Sequence, residues 1–430
     1  MSSYGNITTR IIDSVFDRAN LRAEFRLPAD SVYLSNMRLI GLGIFSSTAA
    51  SSYNELLGAY GGIKNISVFD GATLLEQMNQ AEIVNAFKSV QSDNDSNLSV
   101  NRHLKYNQLG FTANGDYSLT ANQIGANSIQ VKEQNLVANN VNKRAWLSLK
   151  EHLSFFKSSM SIPTNVFKQF RIVIEYLNSA EMKHSTSVNN ATLSTGESAT
   201  ANPNVLLLVD EVNEGDMRNA MMKNYQGVVY RPLEVDSVNL GALTPAANTE
   251  TAQTQTYLVN GFDGKKLIRI LQVNSPQLAS TFENATDNTN LGGKGSQCLF
   301  RSGLQIRVNG ANKLSGQGIV ATSTGSVGNR RLAYLVDTWG NANIITGGNV
   351  PTFGNEANFY DATTTPYVGN LDYTGCLIDE VISELQIQVE RSGVAGNNDL
   401  NQAIRLFFVG EVERAIVMAS DGSYNVVYTN

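Results

Sequence analysis

The chain has 430 residues with 32 basic and 38 acidic side chains, a formal net charge of −6 that argues against a broad cationic face for nucleic acid. Hydrophobic residues make up 42% and charged ones only 16%, against about 25% in average domains, so a packed core is possible and disorder by composition is excluded. No run approaches the roughly 18 apolar residues of a membrane-spanning helix, and the length suits two domains better than one.

Residues 1–20 lack the apolar stretch of a secretory signal and carry Asp13 and Asp17, so a non-secreted product is expected. Ile11, Ile12, Val15, Phe16 and Ala19 share one helical face, with Arg10, Asp13, Asp17 and Arg18 opposite. Thr8 or Thr9 would cap that helix. A second helix is predicted from Thr73, where Thr73-x-x-Glu76 forms a capping box and Leu74, Leu75, Met78, Ala81 and Phe87 follow at helical spacing. It fades in the polar run Gln91 to Asn97. A third is predicted over Arg144 to Lys157, with Trp146, Leu149, Leu153 and Phe156 on one face and Pro163 beyond it.

The rest reads as strands: short alternating runs punctuated by Gly, Asn, Asp and Pro. Phe170 to Leu177 is one. Leu267 to Val273 is nearly continuous in apolar residues and is expected to be buried on both faces. Leu304, Ile306 and Val308 alternate, as do Leu385, Ile387 and Val389. The chain closes with runs Ile404 to Val412, Ala415 to Met418 and Tyr424 to Tyr428, the last two joined through an Asp421-Gly422 turn. Between Asn178 and Asn204 nearly every residue is small or polar, a composition break with a β-sandwich pattern on each side. Residues 239–253, 284–295 and 340–365 read as long excursions. Asp30-Ser31-Val32-x-Leu34, following Arg26, recurs as Asp236-Ser237-Val238-x-Leu240, following Arg231, compatible with two copies of one fold.

Catalytic and metal signatures are missing. His103, His152 and His184 lie in no HExxH pattern and beside no cysteine, which excludes a recognisable zinc motif. Cys298 and Cys376 have no CxxC spacing and read as free buried thiols. Asp93-Asn94-Asp95-Ser96-Asn97 opens like a calcium loop, but Leu98 and Leu104 stand where Gly and Glu are needed. Gly316-x-Gly318-x-x-Ala321 follows no strand, and Gly292-Gly293-Lys294-Gly295-Ser296 is a flexible loop rather than a phosphate cradle. In the pairs Asp210-Glu211 and Asp379-Glu380, adjacent strand residues point to opposite faces and cannot act as one acid–base pair. No catalytic, cofactor-binding or metal residue is assigned, and the expectation is a protein that is not an enzyme.

Leu21-Arg22-Ala23-Glu24-Phe25-Arg26-Leu27-Pro28, followed by Tyr33-Leu34-Ser35-Asn36-Met37-Arg38-Leu39, resembles the first strands of double jelly-roll major capsid proteins of polinton-like viruses, virophages and related tailless icosahedral DNA viruses. Tyr60 to Ile66 with Asp70-Gly71, the Trp146 to Phe156 segment leading into Phe170 to Ile174, and the closing runs Ile404 to Val409 and Ser423 to Tyr428 are similar to later parts of that fold. The resemblance implies an all-β chain of two tandem antiparallel jelly-roll β-sandwiches with a few short helices and long loops. Its divisions would be an N-terminal arm over 1–20, a first roll over 21–178, a linker over 179–204 and a second roll over 205–430 with long loop insertions. It implies homotrimers forming pseudo-hexagonal capsomers of an icosahedral shell. The partners would be neighbouring capsomers, penton and minor capsid proteins and an internal membrane, without cofactor or sequence-specific nucleic-acid binding. The protein would be made in the host cell interior and end in the virion. Ile11, Ile12, Val15 and Phe16 are the candidate contacts of an inward arm; the alternative is a helix that caps its own domain. The competing function is a receptor- or carbohydrate-binding β-sandwich of spike or lectin type, with Trp339, Phe359 and Tyr360 as its aromatic candidates. A β-sandwich hydrolase is the third reading.

Overall fold

Side chains that alternate between two faces dominate the chain, and strands follow from that period. The structure is a computed structural model describing residues 6–42, 44–46, 51–54, 62–80, 133–135, 145–178, 184–186, 193–195, 205–240, 251–276, 303–314, 373–393 and 404–429. In chain order the first strands are β1 (Ile7–Asp13), β2 (Val15–Asp17), β3 (Arg22–Arg26), β4 (Val32–Leu34), β5 (Arg38–Leu42), β6 (Ile44–Ser46), β7 (Ser51–Asn54), β8 (Ile63–Asp70), β9 (Thr73–Met78) and β10 (Glu133–Asn135). Next come β11 (Ala145–Ser148), the helical turns α1 (Leu149–His152) and α2 (Ser154–Ser158), β12 (Ser161–Pro163), β13 (Phe170–Tyr176), β14 (His184–Thr186), β15 (Leu193–Thr195), β16 (Leu206–Val212) and α3 (Gly215–Lys223). The remainder is β17 (Gly227–Tyr230), β18 (Leu233–Leu240), β19 (Thr251–Leu258), β20 (Lys266–Pro276), β21 (Gly303–Val308) and β22 (Ala311–Asn312). It ends with β23 (Tyr373–Val381), β24 (Leu385–Gly393), β25 (Ile404–Val412), β26 (Arg414–Met418) and β27 (Tyr424–Tyr428).

Two sandwiches emerge from the pairing. In the first, the sheet β11-β5-β16-β4-β12, with β1 along the other edge of β16, shares a core with the sheet β2-β3-β13-β8-β9. Leu39, Leu207 and Val209 from one sheet and Phe25, Ile66, Ile172 and Ile174 from the other are all at or near zero exposure. In the second, β18-β25-β20-β23 and β19-β24-β21-β22 enclose Ile270, Ile306, Ile387, Leu406 and Phe408. The strand β25 carries Gly410, where a Cβ would collide with the Phe262 and Leu267 side chains, so these two pack directly on its bare backbone. A third sheet, β17-β26-β27, and two ribbons, β10-β7-β14 and β15-β6, complete the described pairings, all antiparallel.

The strands expected at Phe170, Leu267, Leu304, Leu385 and along the C-terminus are present. Of the predicted helices, two are corrected. Residues 7–17 form β1 and β2, because β-branched Ile7, Thr8, Thr9, Ile11, Ile12 and Val15 suit a pleated edge that pairs in register with β16 and β3. Thr73–Met78 is also a strand: Asp70 pairs with Thr73 across a two-residue turn in which Gly71 takes φ +58°. The third prediction holds in part. Leu149, Leu153 and Phe156 are buried as expected, but the segment opens with β11, drawn into pairing with β5, and only then makes two short turns.

The strand that follows the segment expected as a linker, 179–204, belongs to the same sheet as strands that precede it. Leu206–Val212 pairs with β1, β5 and β4, all upstream of it. Long-range pairing of this kind leaves no trace in local composition. The repeated Asp-Ser-Val-x-Leu lands on unlike backbone, with Asp30 in the left-handed region at φ +58° and Asp236 within β18, so it does not mark equivalent positions. The excursions 284–295 and 340–365, the core of the one at 239–253, and His103, Cys298, Trp339, Phe359 and Tyr360 lie outside the described residues.

Candidate assembly surface

The four N-terminal candidates divide between two faces. β1 runs along β16 in one sheet, Ser14 turns the chain across the sandwich edge, and β2 joins β3 in the other. With period two, Ile12 and Phe16 face inward and pack against the core, Phe16 meeting the Tyr176 ring edge-on at 6.3 Å. Ile11 and Val15 face outward, at 63% and 71% exposure. The structure thus joins the candidates in pairs, one pair holding the clasp shut and one pair displayed.

Polar bonds fix β1 where it lies. Glu211, on the inward face of β16, is nearly buried and accepts from Ser31 Oγ while pairing with Arg10 Nε. Its neighbour Asp210 faces the other way, accepting from Thr9 Oγ1 at 2.7 Å and Asn36 Nδ2 at 2.7 Å. The opposite orientation expected for this acidic pair is therefore what the strand shows. Burial, followed by the Glu211 carboxylate, pushes the Tyr33 phenol above its ordinary value. At the end of β2, Asp17 accepts from Asn20 Nδ2 at 2.7 Å and from Ala19 N at 2.9 Å, and these bonds hold its carboxyl below the usual range.

On the outer face, Ile11 pairs across to half-buried Leu208, and Leu206 pairs with half-buried Ile40. An apolar band therefore crosses β1, β16 and β5. A second apolar face was not singled out from the sequence. In β17-β26-β27 one side packs on the core through Val228, Ile416 and Val426, and the other shows Val229, Val417 and Val427 at 57%, 51% and 40% exposure. Its sequence signal is the doubled apolar residues Val228-Val229, Ile416-Val417 and Val426-Val427, which load both faces of a strand rather than one.

Among the described residues no group of three or more His, Cys, Asp or Glu is placed to hold a metal ion, and no helix is long and apolar enough to cross a membrane. Cys376 is buried in the second core, where desolvation pushes its thiol up to about 12, so it is not poised as a nucleophile.

No family model matches the chain, and no curated protein matches it in sequence. Solved structures do match. PBCV-1 VP54, fitted into a cryo-EM reconstruction of the virophage Sputnik, superposes with a TM-score of 0.56 at 11% identity, covering 100% of this chain and 98% of that one. The cryo-EM structure of the Sputnik virophage gives 0.56 at 10% identity over 100% of this chain and 89% of its own. The mavirus major capsid protein gives 0.51 at 10% identity over 99% and 90%. These neighbours are double jelly-roll major capsid proteins, and this chain has their fold.

Proposed function

We propose that this protein is the major capsid protein of a tailless icosahedral DNA virus, three copies of which form a pseudo-hexagonal capsomer with six upright rolls. The observation that carries the reading is the end-to-end match: 100% of this chain against 98% of a capsid protein chain, with both sandwiches included. The pairing supports a first roll built from β1 to β13 completed by β16, a connection through α3, and a second roll built from β18 to β25. The polar, weakly charged composition fits subunits that meet many neighbours through neutral surface.

Ile11 and Val15 are the residues we assign to contacts beyond the subunit, with a neighbouring capsomer, a penton or minor capsid protein, or an internal membrane. Ile12 and Phe16 instead keep the clasp closed. Negative-stain imaging of the purified protein tests the reading: particles of hexagonal outline, or the sheets and shells they tile, are the expected result. Uniform particles without threefold or sixfold outline would remove it.

A further inference from the structure

The two sandwiches share one apolar cluster across their seam. Tyr230, Leu271, Phe407, Val409 and Ile416 from the second half are buried with the aromatic group of α2 and β13 from the first. Phe155 meets Tyr230 edge-on at 5.8 Å, and Phe167 meets Tyr424 at 5.2 Å. The strands β20 and β25 have a side in each core: Ile270 and Phe408 point into the second, Leu271 and Val409 into the first.

Polar groups close the same seam. In β9, Glu76 pairs with Val68 and Leu74 with Phe69, so the bulged residue between them, Leu75, has no cross-strand partner in β8. Its carbonyl accepts instead from the Tyr230 hydroxyl and from Arg414 Nη1, the latter at 3.3 Å. The Arg414 side chain is only 13% exposed; it pairs with Glu234 Oε1 at 3.1 Å and lies over the Tyr428 ring at 4.4 Å. Tyr428 donates to the same carboxylate oxygen at 2.9 Å, and Lys265 Nζ holds the other at 2.6 Å. A second tie runs from the Tyr424 hydroxyl to Asp70 Oδ2 at 2.7 Å. Leu75 and Asp70 belong to the first sandwich, whereas Arg414, Tyr424 and Tyr428 all stand on the C-terminal hairpin β26–β27.

We propose that this hairpin is a lock between the two sandwiches. Arg414 and Tyr230 on the bulged Leu75 carbonyl, with Tyr424 on Asp70, make the halves fold and unfold as one unit at a fixed angle. Removing the donors strands a buried carbonyl and leaves the Glu234 carboxylate short of a partner, so the seam loses more than two bonds. The inference holds whether or not the protein builds a shell.

Scanning calorimetry of the full chain tests it. The wild type is expected to melt in one transition, and Tyr230→Phe with Arg414→Met in two. Ile306→Ala, a cavity in the second core, should lower the single wild-type transition but only one of the two in the unlocked protein. Two transitions in the wild type, or one in the double variant, would overturn the lock. Should the double variant not fold, native-state hydrogen exchange of the wild type decides: the slowest amides of β13 and β24 share one opening free energy if the halves are coupled, and show two separate limits if they are not.

Discussion

A capping glutamate is legible at position 76, yet the helix it caps is not the one that would begin at Thr73. Glu76 is buried in β9 and accepts from Ser154 N, Ser154 Oγ and Phe155 N, closing the start of α2 some eighty positions downstream. Local spacing shows that such a residue wants a helix N-terminus; only the tertiary fold decides which one. Ile11, Ile12, Val15 and Phe16 show the same limit, since they share a face at 3.6 residues per turn and split into two pairs at period two. Substitution follows the strand. Ile12→Ala and Phe16→Ala should each cost about 1–3 kcal/mol, whereas Ile11→Ala and Val15→Ala should stay within about 0.5 kcal/mol, as read from urea midpoints. Glu413 supplies a pH dependence. The Thr429 hydroxyl at 2.7 Å, working against burial and followed by Arg231 and Lys266, holds its carboxyl below the ordinary 4.5. A depressed carboxylate adds stability above its unfolded value, lost as pH falls through its folded one. Glu413→Gln should therefore lower stability at pH 7 and lose less than the wild type between pH 5 and pH 3, measured as the shift in urea midpoint.

The elements that were legible are those in which apolar residues recur at the period of a strand. β21 and β24 keep apolar residues two apart, β13 and the C-terminal runs double them in places and so load both faces, and β20 carries the continuous run expected of a strand buried on both sides. Turn chemistry was partly legible as well: in the Asp421-Gly422 turn only Gly422 takes a positive φ, of 84°, while Asp421 accepts from Ser423 N at 2.9 Å. Asn309-Gly310, with φ of 50° and 82°, is a hairpin signal of the same kind that the spacing of β21 and β22 made available. Pairing partners were not legible. Nothing near Leu206 shows that it returns across the composition break to β5 and β1. The clasp therefore behaves differently from a projecting arm. Deleting residues 1–20 uncovers the edge of β16 and removes Ile12, Phe16 and the Arg10–Glu211 pair, so the truncated chain should melt several degrees below the wild type. The double substitution Ile11→Thr with Val15→Thr, which keeps β-branched residues on the strand, should leave the melting temperature of the subunit nearly in place and weaken assembly. Equal melting of truncated and full chains would return the segment to a free arm.

At the scale of the molecule, two sandwiches with one shared cluster place the C-terminal hairpin between them, and the chain has the fold of capsid proteins only 10–11% identical to it. At that identity what persists is hydrophobic alternation and turn placement, which is why the sequence could resemble the fold without a diagnostic motif. Exposed apolar residues available for contacts beyond the subunit are harder to find, because Ile11 or Val427 looks like any other apolar strand residue until the sheet shows which face it is on. The solution mass measured by light scattering tests the capsomer most directly. A species of three times 46.7 kDa, about 140 kDa, that persists on dilution is the predicted result. A monomer of 46.7 kDa at every concentration would contradict it.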